Sequence, residues 1–134
     1  MKYLLDTNIC IYIINKKVPP LLKRLQTFHP GQMGISAITV AELEFGIHRS
    51  SKPERNRIAL NSFLLPFEIL DFDQAAATEY GAIRAWQTTH GKTVGSMDLL
   101  IAAQARSRGL VLVTNNEREF SRIPKLQIEN WAKE

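Results

Sequence analysis

Four polar clusters in this chain carry side chains able to do chemistry: Asp6 with Thr7 and Asn8, Glu42, Asp98, and Thr114-Asn115-Asn116 with Glu117 and Glu119 just beyond. None has a cysteine or histidine beside it at ligand spacing. Brought together, such acids form an all-oxygen site, which suits Mg²⁺ or Mn²⁺ rather than zinc. Carboxylates packed closely repel one another, so a cluster of them needs cations to neutralise it or protons on some of its members. With a divalent ion, a carboxylate cluster is equipment for phosphodiester hydrolysis: the ion lowers the pKa of an attacking water and stabilises charge on the scissile phosphate and the leaving oxygen. Other chemistries lack their residues, because the chain has no G-x-G-x-x-G, G-x-x-x-x-G-K-[ST] or G-x-S-x-G. His29, His48 and His90 each sit at the end of an element beside turn residues, which places them at the surface and away from a strand-edge site.

The elements that must position these acids follow from apolar patterning. Lys2-Tyr3-Leu4-Leu5 is apolar enough for a central strand covered on both faces, and Asp6 stands just past its carboxyl end, where open α/β sheets place their ligands. Asp6, Thr7 and Asn8 are also good helix caps, so the β-branched run Ile9 to Ile14 is expected as a short helix. Pro19 and Pro20 open a second helix, Leu21 to Phe28, expected as a lid; Met33 to Ile35 is a second strand. Ser36 is expected to cap a helix from Ala37 to about His48, with Glu42 in its middle and little polar company nearby, while Glu44 lies on another face. Glu54 to Leu65 reads as a helix, Phe67 to Leu70 as a third strand, and Gln74 to about Thr89 as a helix that Asp73 caps. Asp98 opens an apolar, buried helix whose end is marked by Arg106, Arg108 and Gly109. Leu110 to Val113 is a second buried strand that empties into small polar residues, repeating the opening pattern. Ile128 belongs to a short last strand, and Trp131 is expected to pack against the body. On spacing alone each acid keeps an ordinary alternative: a cap for Asp6, a solvated face for Glu42, helix-dipole compensation for Asp98.

Composition narrows the field. The 134 residues, 45% of them hydrophobic, suit one domain spanning 1–134 with a single core. No apolar run reaches the length of a membrane span and the start lacks a signal-peptide pattern, so a cytoplasmic protein is expected. The lone cysteine, Cys10, lies between isoleucines and reads as a small buried hydrophobe. Net charge is +4 at pH 7 and the sequence pI ≈ 9.4. If the acids gather in one pocket the remaining surface is more basic still, which favours a polyanionic partner. Arg55, Arg57, Lys92, Arg106 and Arg118 are candidate contacts for it.

Taken together, Leu5-Asp6-Thr7-Asn8, the segment from Ile35-Ser36 to Val40-Ala41-Glu42-Leu43, Asp98-Leu99-Leu100-Ile101-Ala102, and Leu112-Val113-Thr114-Asn115-Asn116 followed by Glu119-Phe120 resemble the PIN-domain ribonucleases, specifically the VapC toxins of bacterial toxin–antitoxin pairs. The resemblance runs the length of the chain with its motifs in order. It implies a three-layer α/β fold with a central, mainly parallel sheet of four to five short strands flanked by helices. It implies an Mg²⁺-dependent endoribonuclease, with Mn²⁺ a possible substitute, that cuts structured RNA, tRNA being the leading class. It also implies a cognate antitoxin whose tail blocks the acidic pocket, a homodimer, and a hetero-oligomer with that antitoxin. Asp6, Glu42 and Asp98 match three of the family's metal-binding, catalytic acids. At the fourth, where many members have aspartate, this chain has Asn116, whose amide brings no charge; Glu119, or as second choice Glu117, is the expected compensator. Thr7 and Thr114 are expected to support the acids by hydrogen bonds.

Overall fold

The computed structural model of the protein describes residues 1–91 and 94–133. Its centre is β1 (Tyr3–Leu5), three residues with no polar side chain save the Tyr3 hydroxyl, buried throughout. The strand pairs in parallel with β2 (Met33–Ser36) on one side and β4 (Val111–Val113) on the other. Beyond these lie β3 (Glu68–Leu70) and β5 (Ile128–Glu129), also parallel, giving the order β3-β2-β1-β4-β5. The chain therefore builds outward from β1 in one direction and then, returning, in the other. That reversal lies between β1 and β4, and in open α/β sheets the crevice beyond the carboxyl ends at such a point is where ligands sit.

Alternation along the strands sorts the core into two layers. Leu4 and Leu112 face one cluster, with Leu70, Ile83, Leu99, Ala102 and Phe120. Tyr3, Leu5, Val111 and Val113 face the other, with Ile9, Leu21, Ile35 and Trp131. The first layer is covered by α5 (Gln74–His90) and α6 (Ser96–Ser107). Six consecutive-turn residues of α6, from Leu99 to Ala105, are buried, as its apolar circumference predicts. The second is covered by α1 (Thr7–Ile14), α2 (Pro19–Leu25), α3 (Ala37–His48) and α4 (Pro53–Leu64). This is the three-layer architecture expected from the sequence.

Local chemistry explains the boundaries. Asp6 caps α1 by accepting the Ile9 N–H at 2.9 Å, Ser36 caps α3 through Ile38 N–H at 2.9 Å, and Asp73 caps α5 through Ala76 N–H at 2.9 Å. Gly91 and Gly109 follow α5 and α6 with φ of 65° and 63°, the left-handed conformation that glycine adopts without strain. Two features depart from expectation. The second helix starts at its prolines and ends at Leu25, and it is not a lid: Leu21 is fully buried, and Phe28 just beyond stacks on Trp131 with centroids 4.6 Å apart and an interplanar angle of 5°. Arg24, over both rings and 3.4 Å from Glu129, fastens it further. A short helix not anticipated, α7 (Glu117–Phe120), follows β4.

Arg106, a candidate polyanion contact, is instead structural. Its Nε and one terminal nitrogen reach Glu79 Oε2 at 3.0 and 2.6 Å, and the other reaches the Pro124 carbonyl at 3.0 Å, so it clamps α6 to α5. Lysine offers a single donor site without the planar fork. Arg106→Lys is expected to cost about 1 kcal/mol in urea unfolding, with no change in the salt dependence of polyanion binding. Arg57 is likewise occupied, 2.6 Å from Glu44. Arg55 and Arg118 are exposed and enter none of the ion pairs between described residues, and Lys92 lies outside the described residues.

Candidate active site

Asp6 is buried, 3% exposed, and lies at the switch point because its N–H bonds the Val113 carbonyl at 3.0 Å. Capping α1 uses one carboxylate oxygen, so the cap and a role in the site are compatible. Burial pushes its carboxyl above the ordinary value; the Thr114 hydroxyl and the Ile9 N–H oppose that, and the charge of Glu42 adds to it. Thr114 is fully buried, and its oxygen accepts the Asn116 N–H at 2.9 Å, which aims the hydroxyl proton toward Asp6.

Glu42 comes from the middle of α3. Thr7 Oγ1 lies 2.6 Å from Glu42 Oε1 and 3.1 Å from the Thr39 hydroxyl. With one proton to give, Thr7 donates it to the carboxylate, and Thr39 completes the chain of hydroxyls. Thr39 is fully buried and was not among the expected site residues. Its signal in the sequence is its place three residues before Glu42, on the same face of the helix.

Asp98 sits in the first turn of α6, half-buried. Its carboxyl is pushed up to about 6, first by burial and then by the charges of Asp6, Glu42 and Glu119. Four carboxylates, from the junction of β1 with α1 and from α3, α6 and α7, thus share one electrostatic neighbourhood. Among the described residues, no three acidic, histidine or cysteine side chains stand close enough to hold a metal ion as they lie. The acids share a field rather than a closed coordination shell.

Glu119 is the acid of α7 whose charge acts on Asp98. Glu117 turns away, 2.6 Å from Lys133 Nζ and 3.2 Å from Asn130 Nδ2, and these contacts hold its carboxyl below the usual range. Asn116 is the N-cap of α7 and makes no capping bond with its side chain, leaving its amide uncommitted there. Cys10 is fully buried, and burial together with the Asp6 charge pushes its thiol well up, so it is no nucleophile. All three histidines are exposed.

Known proteins resemble this chain over nearly its full length. The sequence fits the PIN domain family over residues 3–126. It is 45% identical over 132 residues to the tRNA(fMet)-specific endonuclease VapC of Shigella flexneri, covering 98% of this chain and 99% of that one. It is 46% identical, over the same shares, to the ribonuclease VapC2 of Haemophilus influenzae strain Rd. Among solved structures, VapBC2 of Rickettsia felis bound to a promoter DNA fragment superposes with a TM-score of 0.92 at 42% identity, covering 98% of this chain and 99% of that one. DNA-bound VapBC from Salmonella typhimurium gives 0.92 at 45%, with 98% of each covered. The chain belongs to the PIN-domain family, among its VapC ribonucleases.

Proposed function

We propose that this protein is the toxin of a toxin–antitoxin pair, an endoribonuclease that hydrolyses phosphodiester bonds of structured RNA and so arrests translation and growth. The observation that carries this reading is that Asp6, at the switch point of the sheet, shares one electrostatic field with Glu42, Asp98 and Glu119, Asp98 being pushed up to about 6 by burial and those three charges. Burial and the charges of Asp6, Glu42 and Glu119 all disfavour the ionised form of Asp98. An all-oxygen donor set under such mutual repulsion fits a hard divalent ion, Mg²⁺ or Mn²⁺. Asp6, Glu42 and Asp98 would hold it, with Glu119 and the Asn116 amide in support. When bound, the ion supplies a water of lowered pKa and stabilises charge on the phosphate.

The chain's own residues do the positioning. Thr114 and the α1 cap orient Asp6, and the Thr39–Thr7 hydroxyls hold the Glu42 carboxylate. The tRNA class follows from likeness to the Shigella flexneri enzyme. Likeness to the VapBC complexes supports a cognate antitoxin and a hetero-oligomer with it; entry of that antitoxin's tail into the acidic pocket is part of the same proposal and rests on the pocket's charge. The chain acts as one PIN domain and as a homodimer, in the cytoplasm; no helix among the described residues is long and apolar enough to cross a membrane.

The test is cleavage of total RNA by antitoxin-free protein with Mg²⁺ and with EDTA, against a DNA control. Discrete RNA fragments that EDTA suppresses are expected; binding without cleavage would instead make the protein an RNA-binding module. Thr39→Val, which keeps shape and removes the hydroxyl, is expected to slow cleavage about 10-fold with the melting temperature nearly unchanged, and Thr39→Ser to restore it. Initial rates at saturating RNA separate this from a loss of binding.

A further inference from the structure

Two large rings at the end of α5 serve neither the core nor the acidic site. Trp86 and His90, one helical turn apart, stack with centroids 4.7 Å apart and an interplanar angle of 21°. His90 is exposed and Trp86 half-buried, and among the described residues neither belongs to either apolar cluster. The other ring contacts, among Tyr3, Phe28 and Trp131 and between Phe63 and Phe67, lie in or against the core. His90 Nδ1 is 2.9 Å from the Trp86 carbonyl oxygen. A carbonyl only accepts, so Nδ1 carries the hydrogen and the imidazole is held in place before any ligand arrives.

Position gives the stack its meaning. The Arg106–Glu79 clamp aligns α5 and α6 as antiparallel neighbours, and Ile83 shares a cluster with Leu99 and Ala102. Counting on from Glu79 along α5 and back from Arg106 along α6 brings Gln87 level with Asp98. Packed helices run about 8–10 Å apart. Trp86, next to Gln87 in α5, is therefore level with Asp98 along the helix pair, and His90 lies one turn further along α5. We propose that the Trp86–His90 stack is a seat for an unstacked nucleobase of the RNA, flanking the phosphate presented to Asp98; this rests on the ribonuclease reading above. Proteins read single-stranded or splayed RNA by stacking bases on aromatic and histidine rings, and the outer face of His90 extends the stack by one more ring.

The test is fluorescence anisotropy in EDTA with two probes: a fluorescein-labelled oligoadenylate dodecamer and an abasic ribose-phosphate strand of the same length. His90→Ala and Trp86→Leu are expected to bind oligoadenylate about five- to tenfold more weakly than wild type, and His90→Phe, a ring without the imidazole, to bind it as wild type does. The abasic strand should not distinguish the proteins, and melting temperatures should stay near wild type. Unchanged oligoadenylate binding by His90→Ala, or an equal loss on both probes, overturns the seat. Cleavage of total RNA by wild type is run alongside. Ring-dependent binding without cleavage refutes the ribonuclease reading and leaves the seat standing; cleavage with ring-independent binding refutes the seat alone. No oligoadenylate binding by wild type refutes the seat whatever the cleavage result.

Discussion

Asp6→Asn and Asp98→Asn are each expected to lower RNA cleavage by more than about 100-fold while leaving the protein folded. Removing partners that merely orient metal ligands costs about 10–100-fold, so removing the charge of a ligand itself must cost more. The amide is nearly the same shape as the carboxylate. At position 6 it can still cap α1, because asparagine caps as well as aspartate does. At position 98 the loss is a favourable first-turn charge on α6, about 0.3–1 kcal/mol. Against that stands the relief of a carboxyl held at about 6 by burial and three neighbouring charges. Thermal melting of the metal-free variants is therefore expected at or above the wild-type temperature. A stable Asp98→Asn protein that cleaves RNA as fast as wild type would defeat the assignment.

Without a divalent ion, stability is expected to fall as pH rises from about 4 to about 6. The sign follows from which state holds the proton. The unfolded chain releases it near the ordinary 3.8, whereas folded Asp98 keeps it until about 6, so in that window the folded state binds more protons and raising pH draws the equilibrium toward unfolding. The effect is complete above the folded pKa. Its ceiling is about 3 kcal/mol for the gap between the two values, reduced in practice because Asp98 is only half-buried. Asp6, also raised by burial, acts in the same direction. A divalent ion binds the ionised carboxylates, so millimolar Mg²⁺ or Mn²⁺ is expected to raise the melting temperature at pH 7.5 and to do so far less at pH 5, where protons compete. Calorimetry of wild type and Asp98→Asn at both pH values checks this, the variant showing a flatter pH profile. Equal pH profiles for the two proteins would contradict it.

The strands and their acids were legible because their signals are local. Tyr3-Leu4-Leu5 and Val111-Leu112-Val113 have too little polar surface to face water, and each runs into residues that cap or line a site. Ser36, Asp73 and Gly109 announce their roles through hydrogen bonds or dihedrals within a few residues. The second helix reads as a lid in sequence because its polar face, Lys23 and Arg24, says nothing of what its apolar face meets. Trp131, from the other end of the chain, is what holds it down. Arg106 looked free for the same reason, since Glu79 is distant in sequence. Thr39 gives little sign in sequence, because a threonine inside a helix has no distinctive spacing until Thr7 is brought to it.

By itself, then, the sequence determined the order of strand, acid and helix, and the all-oxygen character of the site, since these depend on residue type and near neighbours. Only tertiary structure decided that the charge of Glu119 acts on Asp98 while Glu117 is committed elsewhere. Both stand on one short helix two residues apart, and the choice is made by Lys133 and Asn130, which reach Glu117 from the end of the chain and turn it away. The same holds for the shared field of the carboxylates: parallel pairing of β1 with β2 and β4 brings the segments that lead to Asp6, Glu42 and Glu119 to one edge, and no local signal encodes that pairing.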